Sequence, residues 1–420
     1  MMNVRERWLF ILTLAAVMIW ACSAFAATEE EMAAAKEAGE SVNAFAFDMY
    51  RELAKSGSGN IIFSPYSVSS AMAMLYAGTS GAAESELREV MHYPDNIHPA
   101  MRATRKYMTA DAASSDISVA NAVWPDIRFK LLPSYAGTIK EYYGEEITQF
   151  DYLTKWREAE DIINEWTNKN TRGKIKEILG RDILKPEMRG AEGREWAAFV
   201  LTNAVYFSSP WQHPFDENNT SDGTFYGAVE RKTKFMKQTG PFSYFETDDF
   251  QMLMLPYKPA YRSMVVVLPK ERDGIKSLED AITAANFSGW LASMHSEQVQ
   301  VNVYLPKIEF EMESNLVDSF KFMGLESIFE YSRDNFKNMT DVAEDNDEIK
   351  IKVSNILHKA RISVSEAKTE AAAATAVVGR MMATSIILKR YEFRADHPFI
   401  FFIVDHRAGS VLFMGRYAGP

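Results

Sequence analysis

Glu366-Ala-Lys-Thr-Glu-Ala-Ala-Ala-Ala-Thr-Ala-Val-Val378 is a run of small residues that leads through Gly379-Arg380-Met381-Met382-Ala383 into Phe393-Arg-Ala-Asp-His-Pro-Phe-Ile-Phe-Phe402. Composition alone favours a helix here, because Ala, Glu and Lys are among the best helix formers. The segment nevertheless carries no apolar stripe of helical period, and it runs into Val377-Val378-Gly379, which no helix end requires. Read with period two, Thr369, Ala371, Ala373 and Thr375 fall on one side, all small, with Glu370 on the other. Small uncharged side chains at alternate positions suit a segment that passes into the middle of a β-sheet, where large or charged ones find no room. A surface helix or linker is the competing reading of these residues, and the rest of the chain separates the two.

Outward from this run, the bounds are those of an ordinary globular protein. The chain has 420 residues, 47% hydrophobic and 25% charged, with no linker rich in Pro, Gly or Ser, so a single large domain is expected. A net charge of -11 argues against binding nucleic acid, which needs a basic surface. The short cluster Arg102-Ala-Thr-Arg105-Lys106 reads as a solvated helix face. At the N-terminus, Arg5-Glu6-Arg7 precedes an apolar run over 8–20 and then Cys22-Ser-Ala24-Phe25-Ala26-Ala27. This order predicts a signal peptide over 1–26 and a mature domain over 27–420 that is exported, to a secreted, periplasmic or extracellular destination. The apolar run is too short for a transmembrane anchor; a lipid anchor on Cys22 is the alternative. Cys22 is the only cysteine, so the mature chain has no disulfide and no thiol chemistry, and its stability must come from a packed core.

Hydrophobic periodicity predicts a helix over 29–54, a short strand over 60–63 and a helix opened by Ser64-Pro65. A half-buried strand follows over 117–124, and a helix over 162–179 is broken at Thr171-Arg-Gly173. Strands then dominate, over 198–207, 231–236, 242–246, 251–256, 262–269 and 298–306, with a helix over 315–322 and final strands over 351–365 and 399–417. Strands in runs, with most helices in the N-terminal half, point to an α+β fold with largely antiparallel sheets.

Motifs of the common enzyme classes are missing. The chain has neither a Gly-rich phosphate loop nor a G-x-S-x-G elbow, and none of its seven histidines stands at a metal-ligating spacing. No cofactor or metal is implied, and an enzyme is not expected. His358, inside the alternating run Ile356-Leu-His-Lys-Ala-Arg-Ile362, reads as a hydrogen-bonded core residue.

Several motifs in order, from about Glu40 to Pro420, resemble the serpin family. Asn60-Ile-Ile-Phe-Ser64-Pro65-Tyr-Ser67 resembles that family's shutter segment, and Asn121-Ala-Val-Trp124 the start of a central strand. Leu201-Thr-Asn203-Ala-Val-Tyr-Phe207, with Trp211 and Pro214-Phe215, resembles the strand whose Asn joins the shutter and whose Trp sits in the breach. Leu305-Pro306-Lys307 is similar to the segment whose Lys pairs with the Glu at the base of the reactive loop, here Glu366. His358-Lys359-Ala360, Ala395-Asp396-His397-Pro398-Phe399 and Phe413-Met-Gly415-Arg416 complete the likeness.

The resemblance implies three β-sheets, about nine helices and an exposed reactive-centre loop over about 366–390. It also implies an inhibitor of serine proteases, and secondarily of cysteine proteases, that is consumed in a covalent complex and otherwise monomeric. Ser64, Ser67, Asn203 and His358 would form the shutter, with Trp211 and Lys307 in the breach. The hinge would be Glu366, Lys368, Thr369, Glu370, Ala371, Ala372, Ala373, Ala374 and Thr375, and the usual hinge length places the scissile bond between Met382 and Ala383, with Arg380 as a trypsin-like alternative. An unbranched apolar Met suits elastase-like, chymotrypsin-like or subtilisin-like pockets. Lys368 departs from the family's Gly at that position and removes a flexible pivot. A non-inhibitory serpin acting as a chaperone or binding protein is the runner-up, and an unrelated hydrolase a distant third.

Overall fold

The computed structural model describes residues 28–110, 116–189, 193–195, 199–294, 298–332, 334–341, 351–366 and 390–420. The predicted export segment 1–26 with Cys22, and the loop positions Lys368 to Thr375, Arg380, Met382 and Ala383, lie outside the described residues.

Helix α1 (Glu29–Ala54) starts at a capping box, in which the Thr28 hydroxyl accepts the Glu31 amide and the Glu31 carboxylate accepts the Thr28 amide. Its Val42, Phe45, Ala46, Met49, Tyr50 and Leu53 recur at helical spacing and are all buried. The short strand β1 (Ile61–Phe63) leads to α2 (Pro65–Tyr76), which has Ser64 as N-cap and is buried along its length. Two further helices, α3 (Gly81–Val90) and α4 (Ile97–Ala110), precede β2 (Asp116–Pro125). The basic cluster on α4 is neutralised by carboxylates, with Arg102 against Glu141 and Lys106 against Glu31.

After α5 (Pro133–Thr138) comes α6 (Trp156–Asn170), which begins earlier and ends sooner than the periodicity predicts. Its end is set by backbone geometry: Arg172 and Gly173 take left-handed φ values of 53° and 74°. The chain continues through β3 (Glu187–Arg189), β4 (Gly193–Glu195), β5 (Phe199–Ser208), β6 (Ser221–Tyr226), β7 (Glu230–Glu246), β8 (Phe250–Pro256) and β9 (Arg262–Pro269). The strands expected over 231–236 and 242–246 are one continuous β7. At Pro241 the strand has a single partner, through the pair Gln300↔Pro241, so the residue without an N–H interrupts no second ladder. Helices α7 (Ile275–Ala281) and α8 (Ala284–Met294) lead to β10 (Gln298–Pro306), β11 (Ile308–Asn315) and α9 (Val317–Phe322). The last strands are β12 (Asn355–Val364), β13 (Arg390–Arg394), β14 (Phe399–Asp405) and β15 (Ser410–Tyr417).

Nine α-helices and three sheets stand among the described residues, an α+β architecture. The largest sheet runs β1-β15-β14-β9-β8-β7-β10-β13, with β6 beside β7; the smallest is β3-β4. Where β1 meets β15, a Cβ on Gly415 would come within 2.2 Å of the Ile61 carbonyl oxygen, which explains glycine there.

The sheet that matters for the site has the order β11-β12-β5-β2. Its outer pairs are antiparallel, but β12 and β5 run parallel over eight register pairs, from Asn355↔Val200 to Ile362↔Phe207. One face of this sheet packs into the main core through Val123, Leu201, Val205, Phe207, Ile356 and Ile362. The other face, with Ala122, Trp124, Val200, Ala204 and Leu357, lies beneath α6 and the chain after it, held by Ile163, Ile175, Ile178 and Leu184. The strand expected to be half-buried, 117–124, is therefore covered on both sides.

Candidate functional site

The parallel pairing sets His358 of β12 directly opposite Asn203 of β5, and the antiparallel pairing sets Asn203 opposite Asn121 of β2. A row of polar side chains thus crosses an otherwise apolar sheet face, and the start of α2 closes on it. Asn203 donates to the Ser67 hydroxyl and to Asn121 Oδ1, both at 2.6 Å. Ser67 Oγ donates to Asn121 Oδ1 at 2.9 Å, and Asn121 returns a bond to the Ser67 carbonyl at 3.2 Å. The Ser64 hydroxyl donates to the Leu412 carbonyl on β15 at 2.6 Å and accepts the Ser67 amide. The four predicted residues Ser64, Ser67, Asn203 and His358 meet in one buried cluster.

Protons in this cluster are fixed by its partners. His358 Nε2 receives the Ser64 backbone N–H at 3.3 Å, so it is the unprotonated nitrogen. Nδ1 then carries the hydrogen and donates to Asn203 Oδ1. Burial pushes the imidazole pKa down to about 3, against the opposing pull of Asn203, so the ring is neutral at physiological pH. Each member satisfies another, and losing one leaves a buried polar group unpaired at a cost of about 1–3 kcal/mol.

A second group lies at the end of β12, where the chain leaves the sheet. The indole of Trp211 donates to the Ser365 carbonyl at 2.8 Å and stacks on Tyr257 with centroids 4.3 Å apart. Glu366 turns inward: its carbonyl accepts the Phe215 amide at 3.1 Å, and its carboxylate accepts from the Thr220 hydroxyl at 2.7 Å and pairs with Lys307 Nζ at 2.8 Å. The pair is lopsided, with the Lys307 side chain 42% exposed and that of Glu366 4%. Burial works against the carboxylate, yet Lys307 and Thr220 outweigh it and hold its pKa below the ordinary range. The base of the loop is thus tied down on three sides.

On the outer face, Arg361 pairs with Glu309 at 2.9 Å and Glu311 at 3.6 Å, and Lys359 with Glu311 at 3.6 Å and Glu313 at 3.0 Å. This ladder ties β12 to β11. Strand β5, Phe-Val-Leu-Thr-Asn-Ala-Val-Tyr-Phe-Ser, has no charged side chain with which to tie β12 on its other edge.

Thr220 joins these clusters without any sequence motif pointing to it, and Asn121, quoted only as the start of a central-strand motif, joins the polar cluster as an amide within an apolar strand. Among the described residues, no cluster of His, Cys, Asp or Glu could hold a metal ion, and no helix is long and apolar enough to cross a membrane.

A family model for serpins, serine protease inhibitors, matches residues 40–420. A serpin-like protein of Thermococcus kodakarensis is 36% identical over 387 residues, spanning 90% of this chain and 85% of that protein. The leukocyte elastase inhibitor of Sus scrofa is 32% identical over 387 residues, spanning 90% of this chain and 97% of that one. Among solved structures, maspin matches with a TM-score of 0.80 at 21% identity, covering 93% of this chain and 100% of maspin, a likeness of fold alone. Uncleaved ovalbumin matches with a TM-score of 0.77 at 27% identity, covering 91% and 99%. With a family match from residue 40 to the last residue and these relatives along nearly their whole length, the chain belongs to the serpin family.

Proposed function

We propose that this chain is an exported, monomeric suicide-substrate inhibitor of serine proteases with elastase-like, chymotrypsin-like or subtilisin-like pockets. The observation that carries this reading is the parallel β5–β12 seam, whose β12 side continues through Glu366 into the small-residue run. A strand that turns back after Glu366 runs antiparallel to both β12 and β5. It replaces one parallel ladder with two antiparallel ones, the more stable pairing. Roughly a dozen new backbone bonds at about 1 kcal/mol each release on the order of 10 kcal/mol.

The protease supplies the first step. Its serine hydroxyl attacks the Met382 carbonyl, an ester to Met382 forms, and the amine of Ala383 leaves with a proton. Freed at that end, the loop enters the seam and carries the ester-linked protease with it before water can release it. Ser64, Ser67, Asn203 and His358 act as the shutter beneath the seam, and Trp211, Lys307 and Glu366 as the breach that holds the hinge before cleavage. Thr369, Ala371, Ala373 and Thr375 are the inward side chains of the inserted strand, interleaved with Glu370, Ala372 and Ala374. A relative of 32% identity that bears the name leukocyte elastase inhibitor supports the choice of protease. Arg380 offers a trypsin-like bond as the lesser site, and cysteine proteases are the lesser target.

Lys368 favours one second reading, a non-inhibitory serpin that serves as a chaperone or binding protein, because it stiffens the hinge. Incubation with elastase, subtilisin, chymotrypsin and trypsin, followed by denaturing gels and mass spectrometry, separates the two. A stable covalent complex with a released peptide beginning at Ala383 is expected. Loop cleavage by every protease with neither complex nor gain in heat stability refutes inhibition and selects the second reading.

A further inference from the structure

The chain after α6 lies on the outer face of the four-stranded sheet, and its Lys174 touches both sides of the β5–β12 seam. The Lys174 ammonium stands 5.3 Å from the centroid of the Tyr206 ring on β5. Its backbone carbonyl accepts from Arg361 Nη1 on β12 at 3.5 Å. Tyr206 and Arg361 are direct partners in the register, so one residue from outside the sheet spans a single rung of the seam. Lys174 is held in place for this. The Thr171 hydroxyl accepts the Ile175 amide at 3.1 Å and shares its single hydrogen between the Thr167 and Ile175 carbonyls, 2.8 and 3.0 Å away, while Ile175 and Ile178 are buried against the sheet.

We propose that Lys174 is a clasp that sets how fast the seam opens, and so the branch between trapping a protease and releasing it; this rests on the insertion reading above. A strand entering between β5 and β12 widens their separation by one further strand spacing, about 4.8 Å. A residue pinned by Thr171 and Ile175 keeps Tyr206 or Arg361 across that gap but not both. The charge ladder carries β11 along with β12, so the rung at Tyr206 and Arg361 is where the clasp must yield. On the opposite face the bond between His358 and Asn203 crosses the same seam. The clasp is therefore the outer counterpart of the polar cluster: it opposes opening in the uncleaved chain and delays insertion in the cleaved one.

The test compares wild type with Lys174→Ala and Lys174→Arg, both changes at an exposed position. Each protein is given a synthetic peptide of sequence 367–378, with uptake followed by native-gel mobility, and subtilisin, with the trapped and cleaved fractions counted. Lys174→Ala should take up the peptide about two- to fivefold faster, the size expected for losing an exposed cation–π contact, and trap at least as large a fraction of subtilisin. Lys174→Arg, which keeps the cation over the ring, should match wild type. Equal uptake by wild type and Lys174→Ala, or Lys174→Arg as fast as Lys174→Ala, overturns the clasp while leaving the inhibitor reading intact. A wild type that takes up no peptide and traps no protease overturns both.

Discussion

Two buried side chains hold the β5–β12 seam from below, and their chemistry gives the sharpest expectations. His358→Ala leaves the Ser64 amide and Asn203 Oδ1 without partners, and Asn203→Ala orphans the His358 Nδ1 hydrogen while Ser67 and Asn121 keep only each other. Each should lose about 1–3 kcal/mol per orphaned group and form polymers on mild heating, seen by size-exclusion chromatography. Two variants that stay monomeric and fully inhibitory would remove the shutter assignment. The same histidine makes stability depend on pH. In the unfolded chain it takes up a proton near 6.5, whereas in the fold burial delays this to about 3. The unfolded state binds more protons throughout that window, so stability falls as pH drops from about 6.5 toward 3, by up to about 1.4 kcal/mol per unit. His98, pushed down to about 4 by burial, adds to the slope in the same direction. Urea midpoints measured from pH 7 to 4 should fall more steeply for wild type than for His358→Gln, and parallel slopes would refute the role of His358.

Among the elements, the seam is asymmetric by construction. Ion pairs bind β12 to β11, whereas the ten uncharged residues of β5 offer β12 no ion pair, and backbone bonds, the polar cluster and the Lys174 contacts are among what joins these two strands. Individually such surface pairs are worth under about 1 kcal/mol, yet a ladder of four acting along one edge decides which edge parts first. Hydrogen exchange on the protein before and after loop cleavage checks this. Amides of β5 and β12 should gain protection when a strand enters between them, while those at the β11–β12 edge change little. A cleaved protein with unaltered exchange in β5 and β12 would mean that nothing inserts there. At this scale the sequence was legible where one face was apolar and the cap explicit, as in α1 and α2. It misled where tertiary partners decide: β7 runs through Gly240-Pro241 because only β10 pairs it there. The end of α6 was legible, since the helix stops at Asn170, directly before the expected break at Thr171-Arg-Gly173, where Arg172 and Gly173 turn left-handed, while its start at Trp156 was not.

Over the whole molecule, the proposed export is compatible with how the described fold begins at Thr28. Helix α1 begins with a capping box that uses the Thr28 amide itself, so removal of residues 1–26 leaves the first turn intact. Sequencing the exported protein should give Ala27 as its first residue. A lipidated Cys22 at that end would replace the signal-peptide expectation with the anchored alternative.

The family was legible along the chain in motifs of fixed residue type: Ser64-Pro65 as cap and first turn, Phe413-Met-Gly415-Arg416 near the end, and small residues on one side of the run after Glu366. It also named Ser64, Ser67, Asn203, His358, Trp211, Lys307 and Glu366. The Lys307–Glu366 pair and the grouping of Ser64, Ser67, Asn203 and His358 were expected, and their further partners come from packing. Asn121 joins Ser67 across 54 residues and Thr220 joins Glu366 across 146, pairings that no local spacing encodes. Nor does the sequence reveal that Lys307 is half in water while Glu366 is buried, or that Lys174 lies over one rung of the seam. Those facts arise from parallel register and from the chain after α6 packing on the sheet, and long-range packing is what a one-dimensional pattern leaves unspecified.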